Sequence, residues 1–293
     1  MLSTHKTYDV RRPIFASFAG FLIGLLGGLI GLGGAEFRLP VLLTVFALLA
    51  HRAVRFNLLV SLVTLVFAAL TRLGVETEFD PTQYVHVTLS MIAGGTLAAW
   101  IGAGVLSRIP QRQLMLAICL LLILISLVLM AEAFMTTGVS VALSPEPSVR
   151  IVAGLMAGIF VGAVSSALGV AGGEFIIPIL ILLFGADVKT AGTLSLFISL
   201  PIVLVGVARH VLNGHYRSRD VLVHLVLPMS VGSVAGAIVG GLLSSVAPIE
   251  LLKAVLAIVL ASSAVKLWMK NRSDVPSRHS GQTRRGPDPN SPT

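Results

Sequence analysis

The chain has 293 residues, of which 55% are hydrophobic and 12% are charged. Soluble domains carry about 25% charged residues, so this composition excludes a soluble globular protein. Its formal net charge is +8 and its mean hydropathy is +0.94. Apolar stretches of roughly 20 residues can cross a hydrocarbon core, and they must do so as helices because lipid offers backbone groups no partner. We therefore predict an all-α polytopic membrane protein.

The sequence lacks the patterns that carry catalysis or metal binding. It has one cysteine, Cys119, in an apolar stretch, which excludes disulfides within the chain and thiolate–metal chemistry. The seven histidines form no metal-binding spacing, and no phosphate-binding loop or nucleophile motif is present. We therefore predict no enzyme activity, no cofactor and no metal.

The apolar segments form two sets of five. In chain order they are 14–34, 37–50, 55–74, 84–107 and 112–134, followed by 151–171, 175–186, 190–210, 221–244 and 250–269. The second segment of each set is too short for a comfortable straight crossing and carries a proline near its start, where the first turn of a helix tolerates it. We therefore predict that the first two segments of each set form a hairpin of broken or tilted helices.

The two sets are copies of one unit, related by a single constant offset without a gap. Matched identical residues include Gly20 and Gly158, Gly24 and Gly162, Gly34 and Gly172, Glu36 and Glu174, Pro40 and Pro178, Ser61 and Ser199, and Gly102 and Gly240. Apolar composition alone would not align Gly, Glu and Pro at a single offset. Glycines spaced by four, such as Gly158 and Gly162, predict close helix packing.

The basic residues predict how the copies are oriented. With the amino terminus inside, five crossings per copy place most Lys and Arg residues on the cytoplasmic side, as membrane proteins prefer. An odd number of crossings inverts the second copy relative to the first. The predicted regions are a cytoplasmic tail 1–13, membrane repeat one at 14–134, an external linker 135–149, membrane repeat two at 150–270, and a disordered basic cytoplasmic tail 271–293.

Inverted repeats with broken helices are typical of secondary transporters, whose substrate site lies near the bilayer midplane. The two glycine-rich junctions, Gly33-Gly34-Ala35 and Ala171-Gly172-Gly173, each lead into a short helix. The first N–H groups of a helix lack helical partners and carry the positive dipole end. Two such ends that face each other would form an anion site from backbone, and glycine lets a ligand approach closely.

Three charged residues lie close to the glycine-rich junctions. Glu36 and Glu174 occupy matching positions, and carboxylates within a membrane are usually functional. Each carboxylate could cap its own helix, carry a proton for coupling, bind a cation or contact the substrate. Arg38 has no counterpart, because Ile176 stands in its place. Arg38 could pair with Glu36, extend to the membrane surface, or bind an anionic substrate.

Polar residues also mark the third segments. Asn57, Ser61 and Thr64 share one helical face, and Ser195 and Ser199 occupy the places that match Asn57 and Ser61. They could line the transport pathway or hydrogen-bond between helices, as Ser, Thr and Asn do in membranes.

The junction sequences resemble a known family. Gly31-Leu-Gly-Gly-Ala-Glu-Phe-Arg-Leu-Pro40 and Gly169-Val-Ala-Gly-Gly-Glu-Phe-Ile-Ile-Pro178 are similar to the paired glycine-rich signatures of the sulfite exporter TauE/SafE family. The resemblance spans 14–270 and implies a permease for small sulfur-containing or organosulfonate anions, such as sulfite, thiosulfate or sulfoacetate, in a bacterial-type cytoplasmic membrane. It implies that Gly33, Gly34, Gly172 and Gly173 face the substrate, although Ala35 and Ala171 replace glycines of the fuller signature.

Two functions are therefore compared. The first is a secondary anion permease that uses the junctions and Arg38, with protons as the candidate coupling ion. The alternative is a Ca²⁺/H⁺-type cation exchanger that uses Glu36 and Glu174, because hard cations prefer carboxylate oxygens. The predicted partners are a small anion and the lipid bilayer. We expect no nucleic-acid partner, because the basic tail suits the cytoplasmic face of a membrane.

Overall fold

The computed structural model describes residues 11–30, 33–75, 82–106, 108–134, 146–216 and 219–243, together with positions 258, 261, 264, 265 and 269. These residues form helices and no strand. The helices are α1 (Arg11–Ile30), α2 (Ala35–Thr44), α3 (Ala50–Val75), α4 (Val85–Leu106), α5 (Gln111–Phe134), α6 (Pro147–Leu168), α7 (Gly173–Phe184), α8 (Val188–Leu212), α9 (Arg219–Val221) and α10 (Leu227–Leu243). A 3₁₀ turn, Thr82–Tyr84, precedes α4, and a π-helical turn, Leu222–Val226, joins α9 to α10.

Five helices of the described part are long and apolar enough to cross a membrane. They are Ala50–Arg72, Val85–Leu106, Pro147–Leu168, Lys189–Leu212 and Arg219–Leu243. Their outer faces carry large apolar side chains, such as Leu97 and Ile101 of α4, which are 61% and 60% exposed. Such a surface suits lipid and would be unusual in water. The predicted all-α polytopic fold is confirmed. Outside the described residues lie positions 1–10 of the predicted tail 1–13, positions 135–145 of the predicted linker 135–149, most of the predicted segment 250–269, and the whole predicted tail 271–293.

The two short helices differ in detail from the sequence prediction. The helix α2 ends at Thr44 rather than at residue 50, and a turn that includes Ala47 with φ 51° leads into α3. Its ten residues span about 15 Å, half of a hydrocarbon core. The placement of the prolines in the first helical turn was wrong. Pro40 and Pro178 lie inside α2 and α7, in the second turn.

Each copy packs mainly against the other copy. The helix α1 lies along α10, and its counterpart α6 lies along α4. Matching glycines make both contacts, because a Cβ atom on Gly20 would overlap the carbonyl of Met229, and one on Gly158 would overlap the carbonyl of Met91. The repeat offset, which places Gly20 on Gly158, also places Met91 on Met229 and therefore maps one contact onto the other.

The contacts also fix helix directions. Arg72 at the end of α3 reaches Thr193 at the start of α8, with 3.5 Å from Nη1 to Oγ1. Near the other end, a Cβ on Gly206 would lie 4.0 Å from Leu58 Cδ1. The counterparts α3 and α8 therefore run antiparallel, and they lie between the two packed pairs α1–α10 and α4–α6.

Helices α1, α3 and α10 run in the same direction. Gly20 meets Met229 and Gly28 meets Ala237, so α1 and α10 are parallel. The hydroxyl of Tyr216, just before α9, donates to the carbonyl of Arg55 at 2.9 Å, and Gly241 packs on Thr71, so α10 is also parallel to α3. The segment that contains α2 therefore brings the chain back across before α3 begins.

Candidate functional site

The two glycine-rich junctions adopt a backbone that glycine favours. Gly33 and Gly34 have φ angles of 79° and 73°, and Gly172 has φ 91°. This left-handed region is strained for residues with a Cβ atom. Gly34 and Gly172 are also the N-cap residues of α2 and α7, so no side chain caps either helix from that position. The first residues of both helices are buried, and their N–H groups have no side-chain acceptor from the cap position.

The structure brings the two junctions together. Asn57 Nδ2 donates to the carbonyl of Ala35 at 2.7 Å and to the carbonyl of Gly169 at 2.6 Å. A Cβ atom on Gly33 would lie 3.8 Å from the Cβ of Ala171. Because Asn57 binds one carbonyl from each copy, it fixes the first junction against the second.

Arg38 is fully buried and lies in this junction. Its Nη1 donates to Ser61 Oγ at 3.0 Å and approaches Asn57 Oδ1 at 3.4 Å, and its Nη2 donates to the Gly33 carbonyl at 3.3 Å. Within the part of the chain that is described, these acceptors are neutral and Arg38 Nε has no partner. Arg38 therefore neither hydrogen-bonds to Glu36 nor extends to the membrane surface.

Glu36 and Glu174 are buried at the same centre, with exposed fractions of 0% and 2%. Among the described residues, no side chain hydrogen-bonds to their carboxylate oxygens, and each carboxyl group interacts with backbone N–H groups at the start of its own helix, Glu36 with its own and Glu174 with its own and that of Gly172. The helix cap considered from the sequence therefore stays a prediction. The two carboxyl groups lie close enough to interact electrostatically, and Glu36 also interacts with Arg38. The centre thus holds two carboxyl groups and one guanidinium without a direct ion pair between them.

The prolines of the short helices add backbone acceptors to the centre. Pro40 and Pro178 each lie four residues after the glutamate of their helix. Because proline has no N–H group, the carbonyls of Glu36 and Glu174 lose their usual helical donor. Each junction therefore combines, within one turn, N–H groups that have no side-chain cap from the N-cap residue with a carbonyl that lacks its helical donor.

The second copy is less polar than the first. Ser195, the counterpart of Asn57, donates to the Gly192 carbonyl of its own helix at 2.8 Å. Ser199, the counterpart of Ser61, is 1% exposed, and its hydroxyl has no partner within the described residues. Thr64 donates to the Val60 carbonyl of its own helix at 2.8 Å. Of the predicted polar stripe, Asn57 and Ser61 join the Arg38 network, whereas the copy-two serines do not.

Sequence reasoning missed Ser165. Its hydroxyl donates to the carbonyl of Val170 at 2.6 Å and so connects the end of α6 to the residues just before the second junction. The signal was its position in the last turn before the glycine-rich run, where a serine can satisfy a carbonyl beyond the helix end.

Apolar helices of membrane-spanning length that surround two broken-helix N-termini, a buried arginine and two buried carboxyl groups define a class: a multi-pass helical membrane transporter. The model of the family described as sulfite exporter TauE/SafE matches residues 16–267 and 212–292. The chain belongs to this family, and it is a transporter rather than an enzyme.

Two curated relatives from Bacillus subtilis (strain 168) are similar to the chain. The probable membrane transporter protein YdhB is 24% identical over 255 residues, which cover 84% of this chain and 96% of that protein. The probable membrane transporter protein YunE is 26% identical over 211 residues, which cover 67% of this chain and 77% of that protein. No solved structure matches the chain.

Proposed function

We propose that the chain is a secondary transporter for small sulfur-containing or organosulfonate anions, such as sulfite, thiosulfate or sulfoacetate, with protons as the coupling ion. The observation that carries this proposal is the fully buried Arg38 beside two uncapped helix N-termini. The substrate class follows the name of the family to which the chain belongs.

The binding argument starts from the charge of Arg38. A guanidinium in a membrane interior needs an anionic partner, and its hydrogen-bond partners among the described residues are neutral. An oxyanion at the junction would accept hydrogen bonds from Arg38 and from the first N–H groups of α2 and α7. These donors suit tetrahedral or pyramidal oxyanions, because helix N-termini and arginine both favour such groups.

The coupling argument starts from Glu36 and Glu174. An anion at the junction would be repelled by both carboxylates, so its binding is favoured when they carry protons. By linkage, protonation then favours anion binding to the same extent. Anion and proton would therefore cross together.

The arrangement of the two copies supports alternating access across the cytoplasmic membrane. Their contacts correspond under the repeat offset, and the counterparts α3 and α8 run antiparallel. These two relations support an inverted repeat, with repeat one at 14–134 and repeat two at 150–270. In transporters of this plan, one repeat moves against the other around a site at the midplane. The distribution of Lys and Arg supports cytoplasmic termini.

A cation exchanger is the second candidate, favoured by two buried carboxyl groups to which no side chain of the described residues hydrogen-bonds. Calcium takes six to eight oxygen ligands, and the described residues hold no group of three or more His, Cys, Asp or Glu side chains that could bind a metal. Arg38, which interacts with Glu36, would also repel a cation. The geometry therefore favours the anion.

The test is thermal stabilisation of the purified protein by a ligand panel. A ligand at 100 times its dissociation constant stabilises the folded state by about 2.7 kcal/mol. The panel contains sulfite, thiosulfate, sulfoacetate, taurine and sulfate, with Ca²⁺, Mg²⁺ and Na⁺ for comparison, each at two pH values. The variants are Arg38→Gln, Glu36→Gln and Glu174→Gln, with Arg108→Gln as the control because Arg108 is exposed outside the junction.

We expect one of the sulfur anions to stabilise the wild type and the Arg108→Gln variant but not the Arg38→Gln variant. The glutamine variants of Glu36 and Glu174 should keep the stabilisation and lose its dependence on pH. Stabilisation by a cation alone, abolished when either glutamate is neutralised, would reject the anion proposal in favour of the exchanger.

A further inference from the structure

A second group of basic side chains lies away from Arg38, where α3 begins and α8 ends. His210 in the last turn of α8 is fully buried, and neither ring nitrogen has a hydrogen-bond partner in the described part of the chain. Its ring lies 5.7 Å from the ring of His215, at an interplanar angle of 75°. A buried polar group without a hydrogen-bond partner costs free energy, so we expect a ligand to supply a partner to the ring of His210.

The electrostatic neighbours of His210 are also basic. They are Arg55 of α3 and His215. Arg55 interacts in turn with Arg52, and its Nε has no hydrogen-bond partner among the described residues. Tyr216 keeps the group together, because its hydroxyl donates to the Arg55 carbonyl at 2.9 Å. We call Arg55, His210 and His215 the basic cluster. It brings together a guanidinium group and two imidazole rings, all of which can donate hydrogen bonds.

The adjacent Arg209 serves a different purpose. Its guanidinium carbon lies 4.3 Å above the Trp100 ring centroid, on the α4 side of α8. A cation stacked on an indole face has a favourable partner. Among the described residues, Arg55, the arginine of the basic cluster, has no aromatic ring stacked on it in this way.

The internal repeat relates the basic cluster to the opposite end of the same helix pair. The repeat offset maps Arg72 onto His210 and Arg55 onto Thr193. The contact of Arg72 with Thr193, at 3.5 Å, is therefore the counterpart of the approach of His210 to Arg55. A buried basic residue thus stands at each end of the α3–α8 pair, with Arg38 between them.

The spacing suits successive steps along one path. Arg55 precedes Ser61, the partner of Arg38, by six residues, which is about 9 Å along α3. Arg72 follows Ser61 by eleven residues, or roughly 16 Å. Together they cover about 25 Å, close to the thickness of a hydrocarbon core.

We propose that Arg55, His210 and His215 form a second anion-binding site, through which the transported oxyanion passes between the cytoplasmic solution and the Arg38 junction. This inference rests on the proposed function, because it assumes that the substrate is an anion. The site would take the same small sulfur oxyanion or sulfonate that binds at the junction.

The chemistry fits an oxyanion without requiring a charged histidine. Burial and the charge of Arg55 lower the pKa of His215, so at neutral pH its imidazole is neutral. A neutral imidazole still donates one N–H hydrogen bond, and Arg55 supplies the positive charge. An anion would thereby give partners to Arg55 Nε and to the buried ring of His210.

The experiment measures transport of radiolabelled thiosulfate or sulfite in right-side-out and inside-out membrane vesicles. The variants are Arg55→Gln and His210→Gln, with Arg55→Lys to restore the charge and Arg72→Gln to test the opposite end. His224→Gln is the matched control, because His224 is an exposed histidine on the turn that leads into α10. Purified protein of each variant is also tested for thermal stabilisation by the same anion, with Arg38→Gln as the reference for the junction.

We expect Arg55→Gln and His210→Gln to raise KM about tenfold for substrate from one side only, the side that inside-out vesicles expose. Arg55→Lys should recover most of this loss, Arg72→Gln should affect the opposite side, and His224→Gln should match the wild type. Stabilisation that depends on Arg38 should persist in the cluster variants, which also shows that they fold.

Two outcomes overturn the inference in different ways. If the wild type is stabilised and transports, but the cluster variants keep the wild-type KM from both sides, the second site is rejected and the proposed function stands. If no anion stabilises or is transported by the wild type, both are rejected. A loss of Arg38-dependent stabilisation in Arg55→Gln and His210→Gln would assign the cluster to the structure of the junction, and it would also reject a separate site.

Discussion

Asn57 of α3 donates its side-chain amide to the carbonyl of Gly169 at 2.6 Å, across 112 positions of the chain. The same nitrogen donates to the Ala35 carbonyl at 2.7 Å. One side chain therefore bridges the C-terminal end of α6 and the N-terminal end of α2, and its oxygen faces Arg38. Asn57 therefore connects both junctions with Arg38.

Replacement of Asn57 by alanine should open the junction. It removes the donor from two buried carbonyls, and each buried polar group left without a partner costs about 1–3 kcal/mol. We expect Asn57→Ala to lower the free energy of unfolding by about 2 kcal/mol or more and to abolish anion binding. Asn213→Ala, at the exposed end of α8, is the control and should behave as the wild type. Wild-type anion stabilisation in Asn57→Ala would contradict the assigned bridge.

Replacement of the glycines in the contacts of α1 with α10 and of α6 with α4 should destabilise the fold. A Cβ atom on Gly24 would overlap the Ser233 carbonyl, and one on Gly162 would overlap the Gly95 carbonyl. Because backbone cannot move aside cheaply, we expect Gly24→Ala and Gly162→Ala each to lower the thermal midpoint of the purified protein and its yield from the membrane.

The control for these two variants is Gly206→Ala, which removes a glycine from a helix with space around it. Its Cβ would find its nearest neighbours at 3.9 Å and 4.0 Å. Since alanine is favoured over glycine in helices by up to about 1 kcal/mol, Gly206→Ala should be neutral or stabilising. Equal effects of the three substitutions would show that the helices are not closely packed at Gly24 and Gly162.

Adjacent serines at the end of α6 offer a matched pair. Ser165 donates beyond its helix to the Val170 carbonyl at 2.6 Å, whereas Ser166 donates back to the Gly162 carbonyl of its own helix at 2.8 Å. The Gly162 carbonyl also has a helical donor, so loss of the Ser166 hydroxyl leaves it satisfied. We expect Ser165→Ala to cost about 1–2 kcal/mol and to weaken anion stabilisation, and Ser166→Ala to cost much less. If Ser166→Ala were more destabilising than Ser165→Ala, the assignment of Ser165 to the junction would be rejected.

Asp187 should make the start of α8 sensitive to acid. Its Oδ1 accepts hydrogen bonds from the backbone N–H groups of Lys189 and Thr190, both at 3.0 Å. Partial burial raises the pKa of Asp187, but a hydrogen bond from the Thr190 side chain and the backbone hydrogen bonds outweigh it, so the pKa is lowered overall. The stabilisation is therefore complete above the pKa of an unfolded aspartate, about 3.9, and is lost as pH falls through the lower folded value.

For the same residue, loss of an N-cap costs about 0.5–2 kcal/mol. Asp187→Ala should lower the thermal midpoint at neutral pH, and Asp187→Ser should recover much of it. The difference between Asp187 and Asp187→Ala should shrink as pH falls below about 3.9 in thermal unfolding series. A difference that stays constant across that range would argue against the cap.

The sequence was most informative where a pattern acts locally. Hydropathy located the long helices, and the repeated glycines of the junctions marked both breaks, because the left-handed backbone at Gly34 and Gly172 requires the same residue in each copy. The lengths of the short helices were harder to predict. Apolar residues continue past Thr44, and no local signal distinguishes the end of α2 from a longer helix.

Long-range relations were beyond a single sequence. The hydrogen bonds of Arg38 to Ser61, 23 positions away, and to the carbonyl of Gly33 exclude pairing with Glu36 and extension to the membrane surface. Binding of an anionic substrate by Arg38 stays a proposal. His210 and Arg55 belong to different copies and share no motif, so only the antiparallel course of α3 and α8 reveals that they meet. The repeat offset could have linked Arg72 to His210, but the offset matches identities, and this pair differs in residue type.

Helices α1 and α4 of the first copy pack against α10 and α6 of the second copy, and this pairing has a consequence for biogenesis. As the chain leaves the ribosome, α1 enters the membrane long before α10 exists, and its glycine row has no backbone to meet. The first half therefore stays loosely assembled in the bilayer until synthesis of the second half supplies α10 and α6, the helices against which α1 and α4 pack. Split between α5 and α6, the two fragments should each be degraded when made alone and should recover a functional protein when made in the same cell.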